Sequence, residues 1–275
     1  IKNLDDTYYI SNNLYKEVIN YLMNDCRNTV YKNIDNNLLI KQIYLETSDE
    51  NIIDFYLNDS FVKIIYNIVT INDLKNIEQI TKKYNDKIIY KLPLFNWKSI
   101  DLLPYLKLLS QKEVMFTRFS QLYICKNLKF KKKYCDYTIY IWNKETLTYL
   151  KNNDITEFTT SPELSYDRNK SIFGSDNMQV IVGGKLPMVY TRNCFSHLFG
   201  CLKCSKNKRN IKNITNVDKN MNFEIVCNDD YRCIFNKEPI LNDYSKVILN
   251  NSTKFRYVAL NQDIEIVKNT IEKLK

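Results

Sequence analysis

FVKIIYNIVTINDLKNIEQITKKYNDKIIYKL, residues 61–92, decides the fold class. Its first nine residues are almost all aliphatic or aromatic, the composition of a strand covered on both faces rather than one. A stretch of helical period follows from Asn72 to Tyr84, opened by a capping asparagine, and residues 88–92 return to the strand pattern. Strand, helix, strand at this spacing is one parallel β/α unit. Similar β-branched and aromatic runs occur at 43–45, 114–116, 137–142, 155–159 and 178–182, with helical stretches at 143–152, opening Asn143-Lys144-Glu145, and at 164–172. Seven such runs predict a TIM-barrel-like (β/α) domain, α/β in class, rather than an open sheet. No Gly-x-Gly-x-x-Gly follows any of them, so a dinucleotide crevice has no support.

The pattern changes near residue 184. Residues 1–184 read as the barrel-like domain, 185–245 as a Cys-rich C-terminal appendage, and 246–275 as a strand and helix packing back on the barrel. In the last stretch Ile264, Ile266, Val267, Ile271 and Leu274 keep a helical period. All four glycines, Gly174, Gly183, Gly184 and Gly200, crowd into one stretch, which predicts positive φ or close backbone approach there.

Forty Lys and Arg against 31 Asp and Glu give a formal charge of +9, a balance that would draw a nucleic acid or other polyanion toward the basic runs 129–133 and 203–209, or that marks only a solvated Lys-rich surface. With 44% apolar and 26% charged residues, the composition is that of a globular chain, neither disordered nor membrane-spanning. No apolar run is long enough to span a bilayer and no secretory pattern opens the chain, so the expectation is a cytoplasmic protein with no membrane partner. Eight cysteines in a reducing compartment point to metal or redox use wherever they cluster.

They cluster late. Cys194-x6-Cys201-x2-Cys204 is followed after 28 residues by Cys233, with Cys227 nearby as an alternate ligand. A C-x2-C step offers two thiolates from one turn to one metal, and remote cysteines complete a four-sulfur site. Zinc and a [4Fe–4S] cluster both accept such ligands, and five inert buried thiols are the third reading. Cys26, Cys125 and Cys135 lie in helical or strand-like surroundings and read as structural. His197, the one histidine, sits between Cys194 and Cys201 and is a candidate base or a neighbour of the metal. Glu163, after Pro162 at the end of a strand run, is placed to point into a barrel mouth. Arg192 and Lys185 are candidates to hold the carboxylate of an anionic small-molecule cosubstrate.

Thr160-Ser161-Pro162-Glu163-Leu164-Ser165, then Val180 to Gly184 with Leu186-Pro187-Met188, then Arg192-Asn193-Cys194, form an ordered series. It continues with Asp218-Lys219, Phe223-Glu224-Ile225 and Cys233-Ile234-Phe235-Asn236. Over residues 85–245 this series resembles the collagenase-like peptidase family U, number thirty-two (U32). Lys219 stands where that family usually has Arg, and Gln179 where it often has Glu. The resemblance implies a barrel and a [4Fe–4S] cluster on Cys194, Cys201, Cys204 and Cys233. It further implies either peptidase activity, from the family name, or the oxygen-independent hydroxylation that several members perform on a tRNA or rRNA base or on ubiquinone, the RNA-acting ones with prephenate as cosubstrate. A non-catalytic module stapled by its metal is the remaining reading.

Overall fold

The computed structural model describes residues 42–95, 101–174, 176–193, 210–216, 221–227, 231–241 and 253–275. Eight parallel strands close on themselves: β1 (Ile43–Thr47), β2 (Val62–Asn67), β3 (Ile88–Lys91), β4 (Glu113–Phe116), β5 (Lys132–Cys135), β6 (Glu157–Thr159), β7 (Met178–Gly184) and β13 (Thr253–Val258). β13 pairs with both β7 and β1, so the stretch after the appendage supplies the stave that completes the barrel. Between β7 and β13 the chain builds a four-stranded antiparallel sheet in the order β8, β11, β10, β9: β8 is Pro187–Thr191, β9 Asn210–Asn216, β10 Met221–Cys227 and β11 Arg232–Asn236. The short β12 (Ile240–Leu241) then pairs antiparallel with the end of β7.

The period of two along each strand sorts side chains between two cores. Ile43, Leu45, Ile64, Tyr66, Ile88, Tyr90, Val114 and Phe116 face outward into one large apolar cluster with the surrounding helices. Their alternates Tyr44, Ile65, Ile89, Met115 and Tyr134 form a separate cluster inside the lumen. A slip of one residue would exchange the two sets, so the register is specified from both sides.

Helices α1 (Glu50–Tyr56), α2 (Ile71–Lys75), α3 (Ile77–Tyr84), α4 (Leu103–Leu108), α5 (Phe119–Ile124), α6 (Lys144–Lys151), α7 (Tyr166–Phe173) and α8 (Ile264–Leu274) cover the staves. Asn143 caps α6 as its position predicts, accepting from the Thr146 amide at 2.8 Å. The helical stretch after β2 differs from expectation. It is two helices, and its cap is Thr70 rather than Asn72, because Thr70 has extended backbone and shares a reciprocal capping box with Asp73. In α8, Val267, Ile271 and Leu274 are buried while Ile266 faces water.

Residues 137–142, expected as a strand, are not one. The fifth stave is Lys132–Cys135, and Tyr137–Ile139 form a 3-10 turn beyond its end. The lysines disguised it. Lys132 points inward to Glu157 at 2.8 Å and Lys133 reaches Asp154 at 3.2 Å, so this basic run belongs largely to the barrel wall rather than to an open polyanion patch.

The lumen also carries charge at its N-terminal end, where Lys63 pairs with Glu113 at 3.3 Å and Lys132 and Lys254 share Glu157. Gln179 donates to the other oxygen of Glu157 at 2.9 Å. Burial alone would raise the Glu157 pKa, but hydrogen bonds from Lys132 and Lys254 outweigh it, and the net direction is down. A depressed carboxylate pKa contributes stability above its unfolded value that is lost as pH falls through the folded one. Glu157→Gln is therefore expected to flatten the decline in urea midpoint between about pH 5 and 3. An unchanged slope would remove Glu157 as a source of the acid sensitivity.

Candidate active site at the barrel mouth

The C-terminal ends of β3 to β7 converge on one open side of the barrel, the end at which such folds place chemistry. The antiparallel sheet lies over this end. Val226, Tyr231, Cys233 and Phe235 from the sheet form a buried cluster with Tyr137, Ile181, Val258 and Leu260 of the barrel, and Tyr190 packs against it. Tyr231 also donates to Val69 O at 3.2 Å, a polar tie between the same two layers.

Beside this seal opens a cavity of about 990 Å³. Its wall takes Arg118 from the loop after β4, Tyr137 from the turn after β5, Glu163 from the loop after β6, and Tyr190 and Arg192 from β8 and its end. Arg118 is held: its Nη1 donates to Leu94 O at 3.3 Å, and Gln121 Oε1 accepts from the Thr117 amide at 2.9 Å. Gln121 Nε2 reaches Pro93 O at 2.7 Å, tying the loops after β3 and β4 together. Phe95, Tyr190 and Tyr231 make edge-on and tilted ring contacts, with centroids 4.5 to 5.9 Å apart, and Phe95 and Tyr190 of these line the cavity.

Directly beneath lies a set of buried charges. Arg256 on β13 contacts Glu46 on β1 through Nη2 at 2.5 Å, Asp136 at 2.7 Å and Thr159 Oγ1 on β6 at 2.8 Å. Lys91, at the end of β3, pairs with Glu46 at 2.7 Å and Asp136 at 3.2 Å, and Asn67 donates to Glu46 at 2.6 Å. Two cations and two anions thus close a neutral ring across the lumen. Burial would raise the Asp136 pKa, but Lys91 and Arg256 hold it below the ordinary carboxylate range. Sequence reading missed this ring, since Glu46 and Arg256 stand 210 residues apart. It also missed Arg118, a single arginine without a motif.

Of the residues singled out from sequence, Glu163 and Arg192 come together in the cavity wall. Lys185 does not join them: it is buried, bonded to Glu224 Oε2 and to Asn261 O at 3.1 Å, so it holds the sheet to the barrel instead of a cosubstrate. Cys194, Cys201, Cys204 and His197 lie outside the described residues, as do Cys26 and the basic run 203–209. Cys125 and Cys135 are buried in the core between barrel and helices. Cys227 ends β10 opposite Arg232 and is partly exposed.

Cys233 stands apart from the other described cysteines. It pairs in register with Tyr190 and faces the barrel mouth, beside a small space of about 40 Å³ that Lys91 and Tyr190 also line. Desolvation pushes its thiol pKa well up, so a metal there would have to displace the proton. Among the described residues no three His, Cys, Asp or Glu side chains are grouped to hold a metal. Cys233 is the one of the four expected ligand cysteines that lies within the described residues.

No family model matches the chain, and no curated protein does. Among solved structures, one that it resembles is that of the U32 peptidase Mk0906. The TM-score is 0.43 at 10% identity, over 85% of this chain and 97% of that one. This likeness concerns the fold alone; the closed barrel itself rests on the strand pairing above. Among the described residues no helix is long and apolar enough to cross a membrane.

Proposed function

We propose that this chain is an iron–sulfur enzyme. Its substrate enters the mouth cavity, and its [4Fe–4S] cluster is held by Cys194, Cys201, Cys204 and Cys233. The reaction proposed is oxygen-independent hydroxylation of an RNA base or a related aromatic ring. The single observation that carries the reading is Cys233: among cysteines with described surroundings it faces the mouth, in register with a residue of the cavity wall. The ordered motif series from Thr160 to Asn236 supports the same ligand set.

When bound, such a cluster supplies one-electron chemistry. The chain's own residues do the rest. Arg118 and Arg192 offer planar, permanently charged donors to phosphate or carboxylate, including that of a cosubstrate such as prephenate. The Phe95 and Tyr190 rings offer a face on which a ring can stack. Glu163, exposed at the wall, is placed to accept a proton from a bound substrate. The antiparallel sheet shields the deep side of the site from water.

Protein purified without oxygen is expected to be brown, with about four iron and four sulfide per chain. Cys233→Ser and Cys204→Ala are expected to bleach it, and Cys125→Ala to leave the colour. A colourless protein with one zinc would refute the reading, and gelatin hydrolysis surviving Cys233→Ser would favour a peptidase in its place.

A further inference from the structure

Tyr137 has a placement that its share of the apolar seal does not require. Its ring belongs to the buried cluster between barrel and sheet, where phenylalanine would pack as well, yet the residue also forms part of the cavity wall. Two buried cations lie against the ring, Lys91 Nζ at 5.4 Å and Arg256 at 5.8 Å from its centroid. The turn that carries it is fixed as well: Thr138 Oγ1 lies 2.8 Å from Asp136 Oδ2 and 3.0 Å from Thr117 O. The charged ring across the lumen therefore serves as a seat for one tyrosine at the edge of the cavity. A group held this firmly loses little freedom when it binds, which is what a recognition contact needs.

We propose that Tyr137 contacts the ligand in the mouth cavity, donating a hydrogen bond from its phenol to an oxygen of an aromatic anion whose charge is met by Arg118 and Arg192. The inference rests on the reading of this cavity as the substrate site and adds to it a residue and a ligand class. The phenol is a neutral donor and the two guanidiniums are charged ones, so the ligand should carry an acceptor oxygen close to its anionic group. The ring surfaces of Phe95 and Tyr190 account for the aromatic part.

The test uses 2-nitrobenzoate as probe, its nitro oxygens beside the carboxylate, in equilibrium dialysis against the full chain, with Tyr137→Phe and Arg118→Ala beside it. Tyr137→Phe keeps the ring and hence the seal, and its thermal transition by circular dichroism should match the parent. The expected result is binding to the parent, weakened about tenfold by Tyr137→Phe and more by Arg118→Ala. Binding lost in Arg118→Ala but unchanged in Tyr137→Phe would overturn the role of Tyr137 and leave the cavity reading standing. No binding to the parent at millimolar probe, or binding indifferent to both substitutions, would overturn the cavity reading and the inference with it.

Discussion

Replacing Arg256 by methionine is expected to cost about 3–5 kcal/mol of folding stability, the range for removing one partner of a buried ion pair. Arg256 is fully buried and faces Glu46 and Asp136 at hydrogen-bond distance, so methionine would leave two carboxylates to share Lys91. The cost comes from the orphaned anion rather than from the lost contacts. Two consequences separate this account from simple cavity creation. Glu46→Gln placed on top of Arg256→Met restores neutrality, so the double variant should regain part of the loss. The pH dependence should also change sign. In the parent, Asp136 titrates below its ordinary value, so its contribution is present at neutral pH and fades in acid. In Arg256→Met one carboxylate gains a raised folded pKa, and stability should rise as pH falls toward about 5. Urea unfolding of the parent and the two variants at pH 5 and 7 tests all of this. A loss under 1 kcal/mol with no change of sign would mean that the lumen is wet and the charges solvated.

The legible part of this fold was its outward face. β1 to β4, β6 and β7 show as apolar runs because their helix-facing residues are Ile, Val, Leu, Tyr and Phe and their lumen-facing ones are often apolar too. β5 does not, because Lys132 occupies a lumen position inside a run that reads as a basic surface, and β13 was expected only as a strand somewhere in 246–275, its bounds blurred by Lys254 and Arg256 at lumen positions. A charge whose partner lies a hundred or more residues away looks solvated in any window. The same limit applies to the site. Glu163 was visible from its position at a strand end, and Arg192 from its place close to the cysteines. Arg118, Tyr137 and the Glu46, Lys91, Asp136 and Arg256 ring emerge only when eight strand ends are brought together. The Cys cluster shows the converse: its spacing is legible at once, and of its four sulfurs Cys233 alone falls within the described residues.

Gly184→Ala is expected to be the most damaging alanine substitution among the described glycines. Gly184 has φ +114, and a Cβ there would lie 2.1 Å from Val258 O and 2.7 Å from Val258 N. These are backbone atoms of the strand that closes the barrel, and they have little room to yield. Gly184 pairs with Val258 on β13 and with Ile240 on β12, and the Lys185 amide donates to Val258 O at 2.9 Å. Alanine would therefore have to push β13 off β7 at the point where the stave from beyond the appendage is inserted. Positive φ costs roughly 1–3 kcal/mol and overpacking roughly as much again, for a total of about 2–6 kcal/mol. That approaches the whole stability of a typical domain, so the variant should be largely unfolded or insoluble. Gly174→Ala is the matched control. Gly174 also has positive φ, at +56, but a Cβ there meets nothing within 4 Å, so only the conformational cost of about 1–3 kcal/mol remains. Limited proteolysis and circular dichroism on both variants give the comparison. Equal, mild losses would mean that β7 and β13 can separate at this end without opening the barrel, and that closure is held from the Arg256 side instead.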